Sequence, residues 1–403
     1  MFRDITDVDP GRGPRWIRLA VVGVAAAVVI GASLVATRPG TGAPVPLASP
    51  GPLPRSAGLL GATFADSHHG WLLTAKGIAG DSLWRSDDGG STWALAMRLP
   101  AATSVGSMKL GPNGTGYVAT LSLPQGAGRN GFWLTTDGGR TFAEGPLPSP
   151  TGYLLLGLSS APDGSAHALY SDEDFPPTAL VFERQPANGD WTLAATLGPA
   201  PRPAAAPPAE PIPLFGSRTG FAFLDEAHGV IATQTDIAGI GAYRTTDGGR
   251  SWAYVRIGPP PNGELLPPAA ISLSVFDGIL LLAVAFEAGT VDPAIFIYRS
   301  SDGGATWGLP VGVPAEDGLE TPAFNSPGGW WVPYGTAVEV SADAGESWQW
   351  SRLNLPGATT VRSIYPVDQL RAWAFGGGAG SPAQFLFRTV NGGLTWTAVK
   401  PPG

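Results

Sequence analysis

The chain has 403 residues, enough for a large core or for several domains. Its 57 Gly, 41 Pro and 14% charged residues exclude long helices beyond the N-terminal region, and its lack of cysteine excludes disulfides, thiolate catalysis, Cys-ligated zinc and acylation at an N-terminal Cys. Of the net charge of −8, residues 1–18 contribute +1 and the remainder −9, so the bulk of the chain gains nothing from counterion release at phosphates and nucleic acid is not expected as a partner.

Residues 1–18, with Arg3, Arg12, Arg15 and Arg18, read as a short cytoplasmic segment. Residues 19–37 (LAVVGVAAAVVIGASLVAT) carry no charge. As a helix they rise roughly 28 Å, close to the thickness of the hydrocarbon layer. The arginine bias before this run places the N-terminus in the cytoplasm and the bulk of the chain outside. The reading is a single-pass membrane helix at the cell membrane. The alternative is a secreted protein whose signal peptide is cleaved, with Gly31-Ala32-Ser33 as a small-residue site inside the apolar run. Residues 38–58 form a Pro/Gly-rich linker with little to bury.

From residue 59 to 403 one octapeptide recurs, of the form hydroxyl-x-Asp-x-Gly-x-hydroxyl-aromatic. The first copy is Ser86-Asp87-Asp88-Gly89-Gly90-Ser91-Thr92-Trp93. Further copies are TTDGGRTF at 135–142, TTDGGRSW at 245–252, SSDGGATW at 300–307, SADAGESW at 341–348 and TVNGGLTW at 389–396. The starts are 49, 110, 55, 41 and 48 residues apart, and 110 is twice 55. RQPANGDW at 184–191 falls in that gap and keeps a turn and the Trp, so it is read as a decayed seventh copy.

A second pattern of strand, polar turn and strand precedes most copies. FADSHHGW at 64–71 is mirrored by FLDEAHGV at 223–230, with weaker versions at 110–117, 323–330 and 365–373. With the strands on either side of the octapeptide, each unit holds four strands. The fold class is therefore all-β, a seven-bladed propeller of four-stranded blades, or six-bladed if the decayed copy makes no blade. The last hairpin completes its own blade, so no N-terminal strand need be borrowed.

The octapeptide is turn chemistry. Asp88, Asp137, Asp247, Asp302, Asp343 and Asn391 accept backbone N–H groups further along the turn, and the glycines supply positive φ. Trp93, Phe142, Trp252, Trp307, Trp348 and Trp396 return into the hydrophobic layer. Burial of one such ring is worth roughly 4–6 kcal/mol gross, reduced by entropy and by a compact unfolded chain. All these residues are expected to be structural, because they recur symmetrically and a reaction needs one asymmetric cluster.

The octapeptide resembles the Asp-box of sialidase-type (BNR) repeats. With the strand-turn-strand pattern, the chain is similar to photosystem II assembly-factor propellers and to xyloglucanase-type propellers. The first resemblance implies a binding propeller and the second a glycosidase. A sialidase would add an Arg-Ile-Pro motif opening the first blade, an arginine cluster and a Tyr–Glu pair. No such opening motif occurs. Arg85, Arg244, Arg299 and Arg388 each precede an octapeptide and are structural by symmetry, while Arg218, Arg362 and Arg371 are less regular.

A glycosidase needs two carboxylates roughly 5–9.5 Å apart. The irregular acids are Asp172, Glu173, Asp174, Glu287, Glu316, Asp317 and Glu320, of which Asp172 to Asp174 and Glu287 fall between second and third strands. No catalytic residue is assigned. His68, His69 and His228 occupy equivalent turns and His167 is isolated, so no metal site and no cofactor are expected. The insert PAPRPAAAPPAEPIP at 199–213, between blades 3 and 4, is a stiff strap. The expected function is a membrane-anchored extracytoplasmic module that binds a protein or glycan at a propeller face. The alternative is a sialidase-like or xyloglucanase-like glycoside hydrolase.

Overall fold

The computed structural model describes residues 58–399 apart from 76–80, 101–102, 112, 123–129, 162–163, 173–177, 186–188, 199–217, 235–238, 261–267, 287–294, 315–320, 356–358 and 379–382. The cytoplasmic segment, the apolar run at 19–37, almost all of the linker and the strap at 199–213 lie outside the described residues. Among those described, no helix is long and apolar enough to cross a membrane.

Seven four-stranded antiparallel sheets make seven blades, each with its strands in sequence order. The blades span 59–98, 103–146, 154–197, 219–256, 268–313, 323–352 and 359–399. First strands of successive blades approach one another except at blades 5 and 6, which share a buried cluster of Leu281, Ile297, Trp330 and Val332, and the first strand of blade 1 (Leu59–Phe64) also meets that of blade 7 (Thr359–Pro366), so the blades close into a ring. First strands are innermost. Second strands such as Gly70–Thr74 and Gly229–Gln234 are buried along their whole length, and fourth strands such as Ala253–Arg256 are largely exposed. This grading follows from stacking: a second strand is covered on both faces by neighbouring blades, and only the outermost strand meets water.

Blade 7 owns all four of its strands, as expected, and no strand is borrowed. The join to blade 1 is made by packing and one short bridge. Leu59 N–H donates to the Ala383 carbonyl at 2.7 Å, and Phe64 stacks on Trp373 with ring centroids 5.5 Å apart. Leu59, Ala62, Leu72, Trp373, Phe375 and Leu386 share one buried cluster across this join.

Candidate functional site

Every octapeptide lies between the third and fourth strands of its blade, and the first-to-second turns emerge at the same end of the blades. The two sets of turns are tied together. The N–H of Gly89, Gly138, Gly248, Ala344 and Gly392 donates to the carbonyl of His68, Gly114, Ala227, Gly328 and Leu370 respectively, at 2.8–3.0 Å. In blade 5 the first-to-second turn is only Asp277-Gly278, both with positive φ, and it makes no such bond.

The octapeptide carboxylates are saturated within their own turns. Asp88 Oδ1 accepts from the Ser86 hydroxyl at 2.8 Å and from Thr92 N–H at 2.8 Å, while Oδ2 accepts from the Thr92 hydroxyl at 2.6 Å. Asp137, Asp247, Asp302 and Asp343 repeat this set. Asn391 reproduces it with its amide donating to the Thr395 hydroxyl at 2.9 Å.

The same bonds stabilise the charged form. For Asp302, donation from the Thr306 hydroxyl and N–H lowers the pKa to about 2. For Asp247, a desolvation effect in the opposite sense is outweighed by the Ser251 and Thr245 donors, again leaving it at about 2. A carboxyl held so low is a poor proton donor or acceptor near neutral pH.

The closing aromatic reaches the blade before its own. Phe142 packs on Trp71 at 5.6 Å, Trp396 on Trp331 at 6.3 Å and Trp93 on Trp373 at 6.2 Å. Trp191, from the decayed copy, does the same on Phe132 at 5.3 Å. The second glycine of the motif makes room for this. Gly90 has φ 78°, and a Cβ there would lie 2.4 Å from Trp373.

Of the four arginines before an octapeptide, three have side-chain partners among the described residues. Arg85 pairs with Asp87, Arg244 Nε donates to the Gly303 carbonyl at 2.9 Å, and Arg388 lies over the Trp373 ring at 5.5 Å. Arg218 donates to Gln234 at 3.0 Å, Arg362 to the Gly378 carbonyl, and Arg371 pairs with Asp368 at 2.9 Å. These last three sit in different strands or turns of blades 4 and 7, each with its own neighbour, and form no common cluster.

Asp172 closes its loop: Oδ1 accepts Thr178 N–H at 2.8 Å, and its own N–H donates to the Thr178 carbonyl at 3.0 Å. Glu173, Asp174, Glu287, Glu316, Asp317 and Glu320 lie outside the described residues. His69 and His228 bond Asp66 and Asp225 in matching turns, and His167 is buried against Phe223, with ring centroids 3.4 Å apart. Among the described residues no three His, Cys, Asp or Glu are grouped to hold a metal ion.

Two charged groups escaped the sequence reading. Glu183 is 3% exposed and pairs with Arg250 of the next blade at 2.7 Å. Lys109, on the first strand of blade 2 (Thr103–Leu110), is exposed as a residue, yet desolvation around its ammonium holds it below its ordinary value. Neither belongs to a repeated motif. The only signal was their placement on strands, away from turns.

At the opposite end the connections between second and third strands and between blades differ in length, and much of them lies outside the described residues. The chain enters blade 1 at this end, where Ala75 N–H donates to the Gly58 carbonyl at 2.7 Å.

No family model matches the chain. A xyloglucanase of a Paenibacillus species is 28% identical over 197 residues, which cover 40% of this chain and 18% of that enzyme. The match therefore spans less than a fifth of that relative. Among solved structures, YCF48 bound to a D1 peptide aligns over 84% of this chain and 93% of its own, with TM-score 0.54 and 18% identity. One from a study of two prolyl endopeptidases aligns over 87% of this chain and 51% of its own, with TM-score 0.52 and 10% identity. Likeness at these identities is a likeness of fold, and one fold carries many functions.

Proposed function

We propose that the chain is a single-pass membrane protein that presents a propeller of Asp-box repeats outside the cell and binds a protein or glycan through it. The observation carrying this reading is that the repeated carboxylates are consumed by their own turns. A peptide-bound propeller of similar fold, YCF48 with a D1 peptide, supports it. The segments between second and third strands differ in length and sequence from blade to blade, as selective recognition requires. The anchor rests on the uncharged run at 19–37 and the arginines before it.

A second reading is favoured by the xyloglucanase match: a glycosidase whose acids come from the Asp172–Asp174 loop and Glu287. The two readings separate in one experiment. The purified protein is assayed on β-glucans and sialosides beside Glu287→Gln and Asp174→Asn variants. No turnover above background is expected. Turnover that disappears in either variant refutes the binding reading. For the anchor, protease added to intact cells should remove the propeller and leave a membrane fragment. A soluble mature form beginning near residues 34–44 would refute it.

A further inference from the structure

The joins between blades follow one pattern, and four departures from it meet between blades 5 and 6. Trp330 pairs with Ser341 at a place where Gly70 pairs with Ser86, Gly116 with Thr135, Gly229 with Thr245 and Ala372 with Thr389. An indole thus stands where those blades have glycine or alanine. Ala344 has φ 59° where Gly89, Gly138, Gly248, Gly303 and Gly392 stand, a left-handed backbone that strains an L-residue.

Pro310 lacks an N–H, and the fourth strand of blade 5 is only Val311–Val313, with Leu309 left 92% exposed. Arg299 makes no side-chain hydrogen bond or ion pair among the described residues, unlike Arg85, Arg244 and Arg388.

Arg299, Leu309, Trp330 and Ala344, with Val311 and Thr306, line a half-open surface hollow of about 490 Å³. Val311, Trp330 and Ala344 give an apolar floor, exposed Leu309 an apolar lip, and Arg299 and Thr306 a polar rim. Trp330 is 2% exposed, so its ring forms part of a wall and offers no open platform on which a sugar could stack. An apolar slot rimmed by one guanidinium fits an apolar side chain with a carboxylate beside it, which arginine takes in a planar fork.

We propose that this cavity is a peptide-anchoring subsite. It takes the leucine-sized C-terminal residue of a partner protein, whose terminal carboxylate pairs with Arg299. The subsite lies toward the octapeptide end of the blades and does not depend on recognition by the loops at the other end.

The test titrates the full chain with N-acetyl-L-leucine and with neutral N-acetyl-L-leucinamide, followed by ligand-observed NMR. The acid should bind with a Kd of about 1–10 mM, as expected for so small a probe, and the amide about tenfold more weakly. Arg299→Gln should leave thermal unfolding unchanged and erase the preference for the acid. Ala344→Gly should raise the melting temperature by relieving strain, yet weaken the acid several-fold by removing part of the wall. Equal affinity for acid and amide, an unchanged preference in Arg299→Gln, or no saturable binding below about 50 mM would overturn the proposal.

Discussion

Replacing Asp302 by Asn and by Ala separates the bonding role of the octapeptide acid from its charge. Asp302 accepts from the Ser300 hydroxyl at 2.8 Å, Thr306 N–H at 2.9 Å and the Thr306 hydroxyl at 2.6 Å. It is exposed, so the donors regain water when it is lost, and each bond is taken near the low end, about 0.5–1 kcal/mol. Asp302→Ala should then cost about 2 kcal/mol. For Asn, blade 7 supplies the template: Asn391 keeps bonds to Thr389 and Thr395 at 2.9–3.0 Å, with one donor reversed. Asp302→Asn should cost less than about 0.7 kcal/mol at neutral pH. In urea titrations with m roughly 3 kcal/mol/M, the alanine variant should shift the midpoint by about 0.7 M and the asparagine variant by under about 0.25 M. If both variants lose the same amount, charge rather than bonding holds the turn and the reasoning is wrong.

The same acids set a pH limit. Asp247 and Asp302 have folded values of about 2, below an unfolded value of about 3.9, so their contribution is full above pH ~4 and disappears as pH falls through about 2. Urea midpoints should be flat above pH ~5 and drop between pH ~4 and ~2, less steeply in Asp302→Asn; an unchanged slope would contradict the assignment. Trp191→Ala should destabilise by about 2–3 kcal/mol, because the ring packs on Phe132 as the other motif aromatics pack on their neighbours. A neutral result would mean that 184–191 is no working copy. Gly90→Ala should cost more than about 2 kcal/mol, from positive φ and a Cβ forced to 2.4 Å from Trp373; a melting temperature within a degree or so of the parent would deny that close approach.

The blades were legible because the octapeptide is a local device. Its donors and acceptor lie within seven residues, so the sequence displays the whole turn, and even the copy at 184–191 keeps its place between a third and a fourth strand. The join between blades was not legible in the same way. That Trp396 meets Trp331, or that Arg250 meets Glu183 from 67 residues away, depends on how two sheets stack, and neither pair shares a motif. Symmetry misled in one place. Arg299 has the same sequence context as Arg85, Arg244 and Arg388, but its surroundings are changed by Trp330 and Ala344 of the next blade, more than thirty residues on.

Closure of the ring follows from the same stacking. With no borrowed strand, the join of blades 7 and 1 has to hold by side chains, and Trp373 serves both turns of blade 1. Phe64 of the first-to-second turn stacks on it at 5.5 Å, and Trp93 of the octapeptide meets its edge at 6.2 Å. Arg388 lies over the same indole and reaches Ser91. Trp71 and Trp331 fill the corresponding place in blades 1 and 6, each fully buried and each met by the aromatic of the following blade. The last join therefore resembles the internal ones, and the ring has no dedicated clasp. A chain without disulfides that closes this way spends its repeated residues on the joins. On the proposed binding reading, recognition falls to the positions where one blade departs from the others.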